Sequence, residues 1–163
     1  MSALVFHPYD LPAEGGCRCG ALRFRLTMQP LATALCHCTG CQKMSASAYS
    51  TTLMVPVDGF AVTQGTPVKG GLKADLPTHW HCPECLSWVY TTLGEGARIL
   101  NLRATMLDDA ANFVPFMETW TSEKLPWVET PALHSFAQFP SREEVGPLLR
   151  EYAARVAAAG DPA

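Results

Sequence analysis

The sequence contains no run of basic residues. Its 12 Lys and Arg are scattered among 15 Asp and Glu, giving a net charge of -3 and a pI near 5.9. Phosphate recognition needs clustered positive charge, so nucleic acid is excluded as the main partner. No apolar stretch approaches the length of a membrane span, so no membrane partner is expected. Met1 to Gly16 carries no basic leader, and Pro8, Asp10 and Pro12 interrupt any apolar core. No signal peptide is expected there. There is no internal repeat and no linker-like stretch, so residues 1–163 are expected to form a single domain. Nor is any cysteine left over for ordinary packing, because all 7 lie in clusters. An odd count excludes a complete disulfide framework, and the spacings within the clusters suit metal binding better than structural disulfides. Reduced thiols without an export signal make the cytoplasm the expected compartment.

The densest cluster is Cys36-His37-Cys38-Thr39-Gly40-Cys41. The others are Cys17-Arg18-Cys19 and Cys82-Pro83-Glu84-Cys85. Zinc takes four ligands in a closed structural site, and three plus an open position in a reactive one. Seven thiols divide as four plus three. Cys36, Cys38 and Cys41 are close enough to bind one metal alone, leaving Cys17, Cys19, Cys82 and Cys85 as a closed set. Spacing also admits Cys38 and Cys41 paired with Cys82 and Cys85, with Cys17 and Cys19 idle. A metal on three thiolates carries net negative charge and is a weak activator of water. It suits an incoming thiol, which loses its proton on coordination and becomes nucleophilic.

Around the clusters the pattern is β-like. Leu22–Leu26 alternates apolar and charged residues with period two. Ala48–Val55, Phe60–Gln64, Trp88–Leu93 and Arg98–Leu102 read as strands bounded by Pro or Gly. Phe113–Trp120 is another candidate, confined to an edge or bulge by Pro115. Residues 1–16 read as an irregular lead-in, 31–35 as a short apolar lead, and 67–77 as a turn-rich connection. The fold class expected is mainly antiparallel β, zinc-stabilised, with a short C-terminal α-helix over about 141–159. Ser141 and Glu144 have the spacing of a capping box. Pro147 predicts that the helix proper begins there, with Leu148, Leu149, Tyr152 and Val156 on its apolar face.

At its clusters the chain resembles the glutathione-dependent formaldehyde-activating enzyme family, which also includes centromere protein V. The likeness spans about residues 14–140. It rests on Gly16-Cys17-Arg18-Cys19-Gly20-Ala21-Leu22-Arg23-Phe24, on Cys36-His37-Cys38-Thr39-Gly40-Cys41-Gln42-Lys43 and on Cys82-Pro83-Glu84-Cys85. Met106-Leu107-Asp108-Asp109, Phe113, Pro115 and Trp127 extend it. The resemblance implies a structural zinc on Cys17, Cys19, Cys82 and Cys85 and a second, open zinc on Cys36, Cys38 and Cys41. It also implies a carbon–sulfur lyase that condenses glutathione, or a related small-molecule thiol, with formaldehyde to S-hydroxymethylglutathione. Two departures stand out. Leu86 follows the last cysteine where the family commonly has Gly, and a bulky residue there predicts a different turn. Ala46 stands where the family has Gly after the central cluster.

Other residues are weighed beside these. His37 either orients a ligand at the open site or points away between its liganding neighbours. His79 and His81 flank the closed set without completing it. Asp108 and Asp109 mark a turn. Arg18 and Lys43 could attract substrate carboxylates or be solvated surface. Trp80, Trp88, Trp120 and Trp127 are expected in core or pocket wall. Two competing functions remain. One is a non-catalytic zinc-stabilised scaffold, with His37 as a fourth ligand. The other is a redox sensor using the central thiols.

Overall fold

The computed structural model describes residues 4–72 and 77–160. In chain order its strands are β1 (Ala13–Gly16), β2 (Arg23–Leu26), β3 (Ala32–Cys36), β4 (Ser50–Pro56), β5 (Phe60–Gln64), β6 (Val68–Gly70), β7 (Thr78–His81), β8 (Trp88–Thr92), β9 (Ile99–Leu102), β10 (Met117–Thr119) and β11 (His134–Ser135). Two helices join them, α1 (Thr39–Ser45) and α2 (Arg142–Gly160). Mainly β with a C-terminal helix is therefore the fold class. Residues 73–76 of the expected turn-rich connection, and the chain end 161–163, lie outside the described residues. The chain forms two compact units, each assembled from separated segments.

One unit comprises Asp10–Pro30 and Thr52–Ala111, and its pairing is antiparallel. β2 runs between β1 and β5. β9 pairs with β4 and with β8, β8 with β7, and β7 with β6. Period two in Arg23-Phe24-Arg25-Leu26 buries Phe24 and Leu26 completely and turns the arginines outward. Arg25 meets Glu14 and Arg23 meets Asp108 at the surface. Leu22, Leu53, Val55, Val89 and Leu102 complete this core. The Phe60 ring meets those of Phe24 and Tyr90 at a tilt, with centroids 5.4 and 4.9 Å away. Burying each such side chain contributes about 1.5–3 kcal/mol.

The other unit comprises Met1–Tyr9, Leu31–Thr51 and Asn112–Ala163. Here the pairing is parallel: β10 runs beside β3 on one side and β11 on the other. Alternation does not reveal β3, because Ala32 to Leu35 are all buried and no polar face marks a period of two. β10 is shorter than the Phe113–Trp120 expectation. It begins only after Pro115, which has no N–H to donate.

Helix α2 starts earlier than Pro147 predicts. The Ser141 N–H donates to Glu144 Oε2 (2.8 Å), and the Glu144 N–H donates to Ser141 Oγ (3.3 Å). That reciprocal cap starts the helix at Arg142, and it runs on through Pro147 with one donor missing. Leu148 and Tyr152 are buried. The Tyr152, Phe116 and Phe6 rings meet edge to face, each pair contributing about 0.5–1.5 kcal/mol beyond burial.

Candidate metal centres

Two hairpin turns carry the four-cysteine set. Cys17 and Cys19 lie in the turn from β1 to β2, and Cys82 and Cys85 in the turn from β7 to β8. Backbone bonds close both turns. Cys17 N–H donates to the Leu22 carbonyl at 2.9 Å, and Cys82 N–H to the Ser87 carbonyl at 3.0 Å. The Leu86 N–H returns to the Cys82 carbonyl (3.0 Å), and the Leu22 N–H donates to Cys17 Sγ (3.3 Å). The left-handed turn is kept after all. Leu86 sits at φ 58° although it is not glycine, with its side chain 69% exposed. Exposure spares the side chain a clash with neighbours, but the Cβ still bears the local cost of left-handed backbone.

All four sulfurs lie within 4.8 Å of one another. Cys17 and Cys19 are 3.5 Å apart, and Cys19 and Cys82 are 3.8 Å apart. Tetrahedral thiolates at zinc–sulfur bonds of ~2.3 Å would stand about 3.8 Å apart, so this set fits such an ion. The surroundings bias two of these thiols, Cys85 and Cys17, toward the thiolate. The Ser87 hydroxyl, 3.2 Å away, holds Cys85 down to about 5. Burial opposes ionisation of Cys17, but the Leu22 N–H and the neighbouring thiols hold it below its ordinary value. Cys19 has the Ala21 N–H in its favour, yet the thiols of Cys17 and Cys85 push it up to about 12. Four anions this close favour one another's protonation unless a cation joins them.

The second set lies wholly in the other unit. Cys36 ends β3, Cys38 caps α1, and Cys41 stands in the first turn of α1. Cys38 Sγ accepts the Cys41 N–H (3.3 Å), as an oxygen would at an ordinary helix start. The helix closes on Ala46 in the left-handed region at φ 48°, whose N–H donates to the Gln42 carbonyl. Ala46 thus holds the conformation a glycine would take there. The three sulfurs also lie within 4.8 Å of one another, each half-buried. The Cys41 thiol holds Cys36 down to about 5 against the effect of burial. The same pairing, with burial, pushes Cys41 far up. Burial likewise raises Cys38.

A polar scaffold surrounds this set, and most of it escaped the motifs. His37 is completely buried, its Nε2 3.0 Å from Glu118 Oε2, while no hydrogen-bond partner among the described residues reaches its Nδ1. Glu118 also accepts from Lys124 Nζ (2.8 Å), Thr130 Oγ1 (2.7 Å) and Ser135 Oγ (2.7 Å). Burial works against its charge, yet Lys124, Ser135, Thr130 and His37 together hold it down to about 2. The Gln42 amide donates to the His37 and Glu123 carbonyls, and Glu123 accepts the Thr39 N–H. The lone carboxylate inside Phe-Met-Glu-Thr-Trp was the one signal for Glu118 in the sequence.

Among the described residues, the other singled-out side chains supply no atom to either set. His79 bonds Thr91 (3.0 Å), and His81 stacks on Trp88. Asp108 pairs with Arg23, and Asp109 accepts the Ala111 N–H in a turn. Arg18 and Lys43 are exposed. Trp127 departs from its expected place in core or pocket wall, being 72% exposed.

The sequence model described as glutathione-dependent formaldehyde-activating enzyme matches residues 12–123, and all seven cysteines fall within that span. The chain belongs to this family. As a member, it carries two cysteine sets that could each hold a metal ion. No curated protein matches the chain. A crystal structure of a Rhodobacter sphaeroides protein is similar at 17% identity, covering 58% of this chain and 87% of that one, with a TM-score of 0.46. No helix among the described residues is long and apolar enough to cross a membrane.

Proposed function

We propose that this protein is a zinc-dependent carbon–sulfur lyase that adds a thiol, glutathione or a close relative, reversibly to a small aldehyde such as formaldehyde. The observation that carries the reading is the three-sulfur set of Cys36, Cys38 and Cys41. It is one donor short of a closed tetrahedron, in a chain whose other four thiols already form a complete set. Cys17, Cys19, Cys82 and Cys85 then serve folding, and Cys36, Cys38 and Cys41 serve the reaction. A reducing compartment, the cytoplasm, suits seven free thiols.

A zinc ion held by Cys36, Cys38 and Cys41 would supply a fourth position at which an incoming thiol gives up its proton. A donor set of three anionic sulfurs favours this over activation of water. The three cysteines are half-buried, neither enclosed in the core nor fully exposed. In the addition, the thiol sulfur gives an electron pair to the aldehyde carbon and the carbon–sulfur bond forms. The carbonyl π pair moves to oxygen, which takes up the proton that the thiol lost. Glutathione and formaldehyde become S-hydroxymethylglutathione without oxidant or reductant, and the reverse breaks the same bond.

The test is exchange between glutathione and formaldehyde followed by NMR. Faster exchange with the metal-loaded chain, lost in Cys38→Ser, supports the reading. A rate unchanged by the protein removes this substrate pair. A cobalt spectrum indifferent to added thiol would favour a closed, non-catalytic centre instead.

A further inference from the structure

We propose that Glu118 is the positioning residue of the three-cysteine centre, its buried carboxylate fixing the His37 ring and thereby the placement of the Cys36 and Cys38 sulfurs on either side. This rests on the metal reading above and adds the device that sets the geometry of the ligands.

The argument begins with strand geometry. β3 ends at Cys36, but the ladder continues one residue further, because the His37 N–H donates to the Thr119 carbonyl (3.0 Å). Cys38 is still extended, at φ -59° and ψ 146°. In extended backbone successive side chains point to opposite faces, so Cys36 and Cys38 share a face and His37 takes the other. A rotation of the chain at His37 therefore swings both sulfurs. An anchor on the His37 ring adds to the backbone bonds that hold this residue, and so limits that rotation.

Glu118 is placed to do so. Parallel pairing sets it opposite Leu35, with Thr119 opposite Cys36. On its other side it faces Ser135 of β11. Its carboxylate is immobilised before it meets the imidazole, by Lys124, Thr130 and Ser135 at 2.7–2.8 Å. A buried charge of this kind is costly unless fully partnered, and apolar side chains would pack such a site as stably. What a carboxylate adds is direction. A 3.0 Å bond to Nε2 sets the orientation of a ring that also meets Tyr49 edge to face, at 5.4 Å between centroids. Gln42 acts on the same residue from the helix, through the His37 carbonyl (2.6 Å).

The experiment is a cobalt(II) titration of the full chain, read by its sulfur charge-transfer and ligand-field bands. The wild-type chain should take up two ions. In Glu118→Gln the ion on Cys17, Cys19, Cys82 and Cys85 should bind as before. The ion on Cys36, Cys38 and Cys41 should bind about 10–100-fold more weakly, as losses of outer partners of metal ligands do, with shifted bands. His37→Leu should weaken it by a similar factor, and the double variant should go no further, because the two act as one unit. Thr33→Val is the control. Its hydroxyl donates to the Val114 carbonyl and accepts the Phe116 N–H in the same unit, remote from His37 in this network. It should lower stability and leave both cobalt spectra alone. Unchanged second-ion affinity and bands in Glu118→Gln, additive effects in the double variant, or an equal effect of Thr33→Val would each overturn the proposal. Should Glu118→Gln fail to fold, Ser135→Ala removes one donor while keeping the charge, and is read the same way. A wild-type chain that takes one cobalt overturns the metal reading itself. Two ions of unaltered affinity in Glu118→Gln overturn this inference alone.

Discussion

Gly20 and Leu86 occupy the same place in the two turns of the four-cysteine set, each directly after the second cysteine, and both have left-handed backbone, at φ 79° and 58°. One turn has the residue suited to that conformation and the other does not. For a residue with a Cβ the left-handed region costs about 1–2 kcal/mol. Ala46 at φ 48° carries the same cost at the end of α1.

Leu86→Gly should therefore stabilise the protein. The side chain is mostly exposed, so little apolar contact is lost. Glycine's larger unfolded-state entropy offsets part of the gain, leaving about 0.5–1 kcal/mol. At this chain length that is a rise in melting temperature of roughly 1–4 °C at saturating zinc. A fall in melting temperature would mean that Leu86 makes stabilising contacts its exposure does not suggest.

Loss of a ligand from the four-cysteine set should be a folding defect. Cys82 is completely buried where β7 turns into β8. Structural zinc contributes ~10–16 kcal/mol of binding free energy in small zinc-dependent folds. Cys82→Ser should lose one metal per chain and most of the cooperative melt, as should strong chelation of the wild type. Metal analysis beside calorimetry checks this, and an unaltered melt with one metal fewer would count against a structural role.

Cys38→Ser separates two roles of one sulfur. Cys38 caps α1 by accepting the Cys41 N–H and also belongs to the three-cysteine set. Serine is a stronger cap than cysteine but lacks the thiolate. The variant should keep α1, retain one metal per chain instead of two, and lose catalysed exchange by at least about tenfold. Circular dichroism, metal analysis and the NMR exchange assay read the three outcomes separately.

Glu118 should make stability acid-sensitive. Its folded-state value, about 2, lies below the ordinary 4.5. A depressed carboxylate contributes stability that is fully present above about 4.5 and is lost as pH falls from there through about 2. The contribution is on the order of 3 kcal/mol. Denaturant unfolding should show Glu118→Gln less stable than its parent at pH 6, with the gap shrinking toward pH 2. Running the pair in the Cys38→Ser background keeps the second metal out of the comparison. A gap independent of pH would show that the carboxylate is not ionised in the native state.

Much of the unit holding the four-cysteine set was legible from residues alone. Phe60–Gln64 is the strand the sequence predicts, and Trp88–Leu93 and Arg98–Leu102 miss by one residue. These are antiparallel strands with turn residues at their ends. Period two and Gly or Pro punctuation report directly on such local geometry. The other unit was less legible. β3 hides because both its faces are covered, and β11 because two residues carry no period. The parallel pairing of β10 with both was not readable, since parallel partners meet through long connections that leave no turn signature. Pro147 misplaced the start of α2, because a cap formed between Ser141 and Glu144 outweighs one missing donor.

The sequence by itself determined the chemistry available. Seven cysteines in short-spaced clusters restrict the donors to sulfur. The Cys36–Cys41 spacing allows three of them to meet at one point, and equally allows Cys38 and Cys41 to pair with Cys82 and Cys85. Tertiary structure decided the rest. It brought Cys17 and Cys19 to Cys82 and Cys85 across 63 residues, through two hairpin turns of one unit. It also carried Glu118 to His37 across 81 residues, through a parallel strand pair. Local spacing encodes which donor atoms are available. The partner that orients them comes from another strand, and only the folded sheet brings it there.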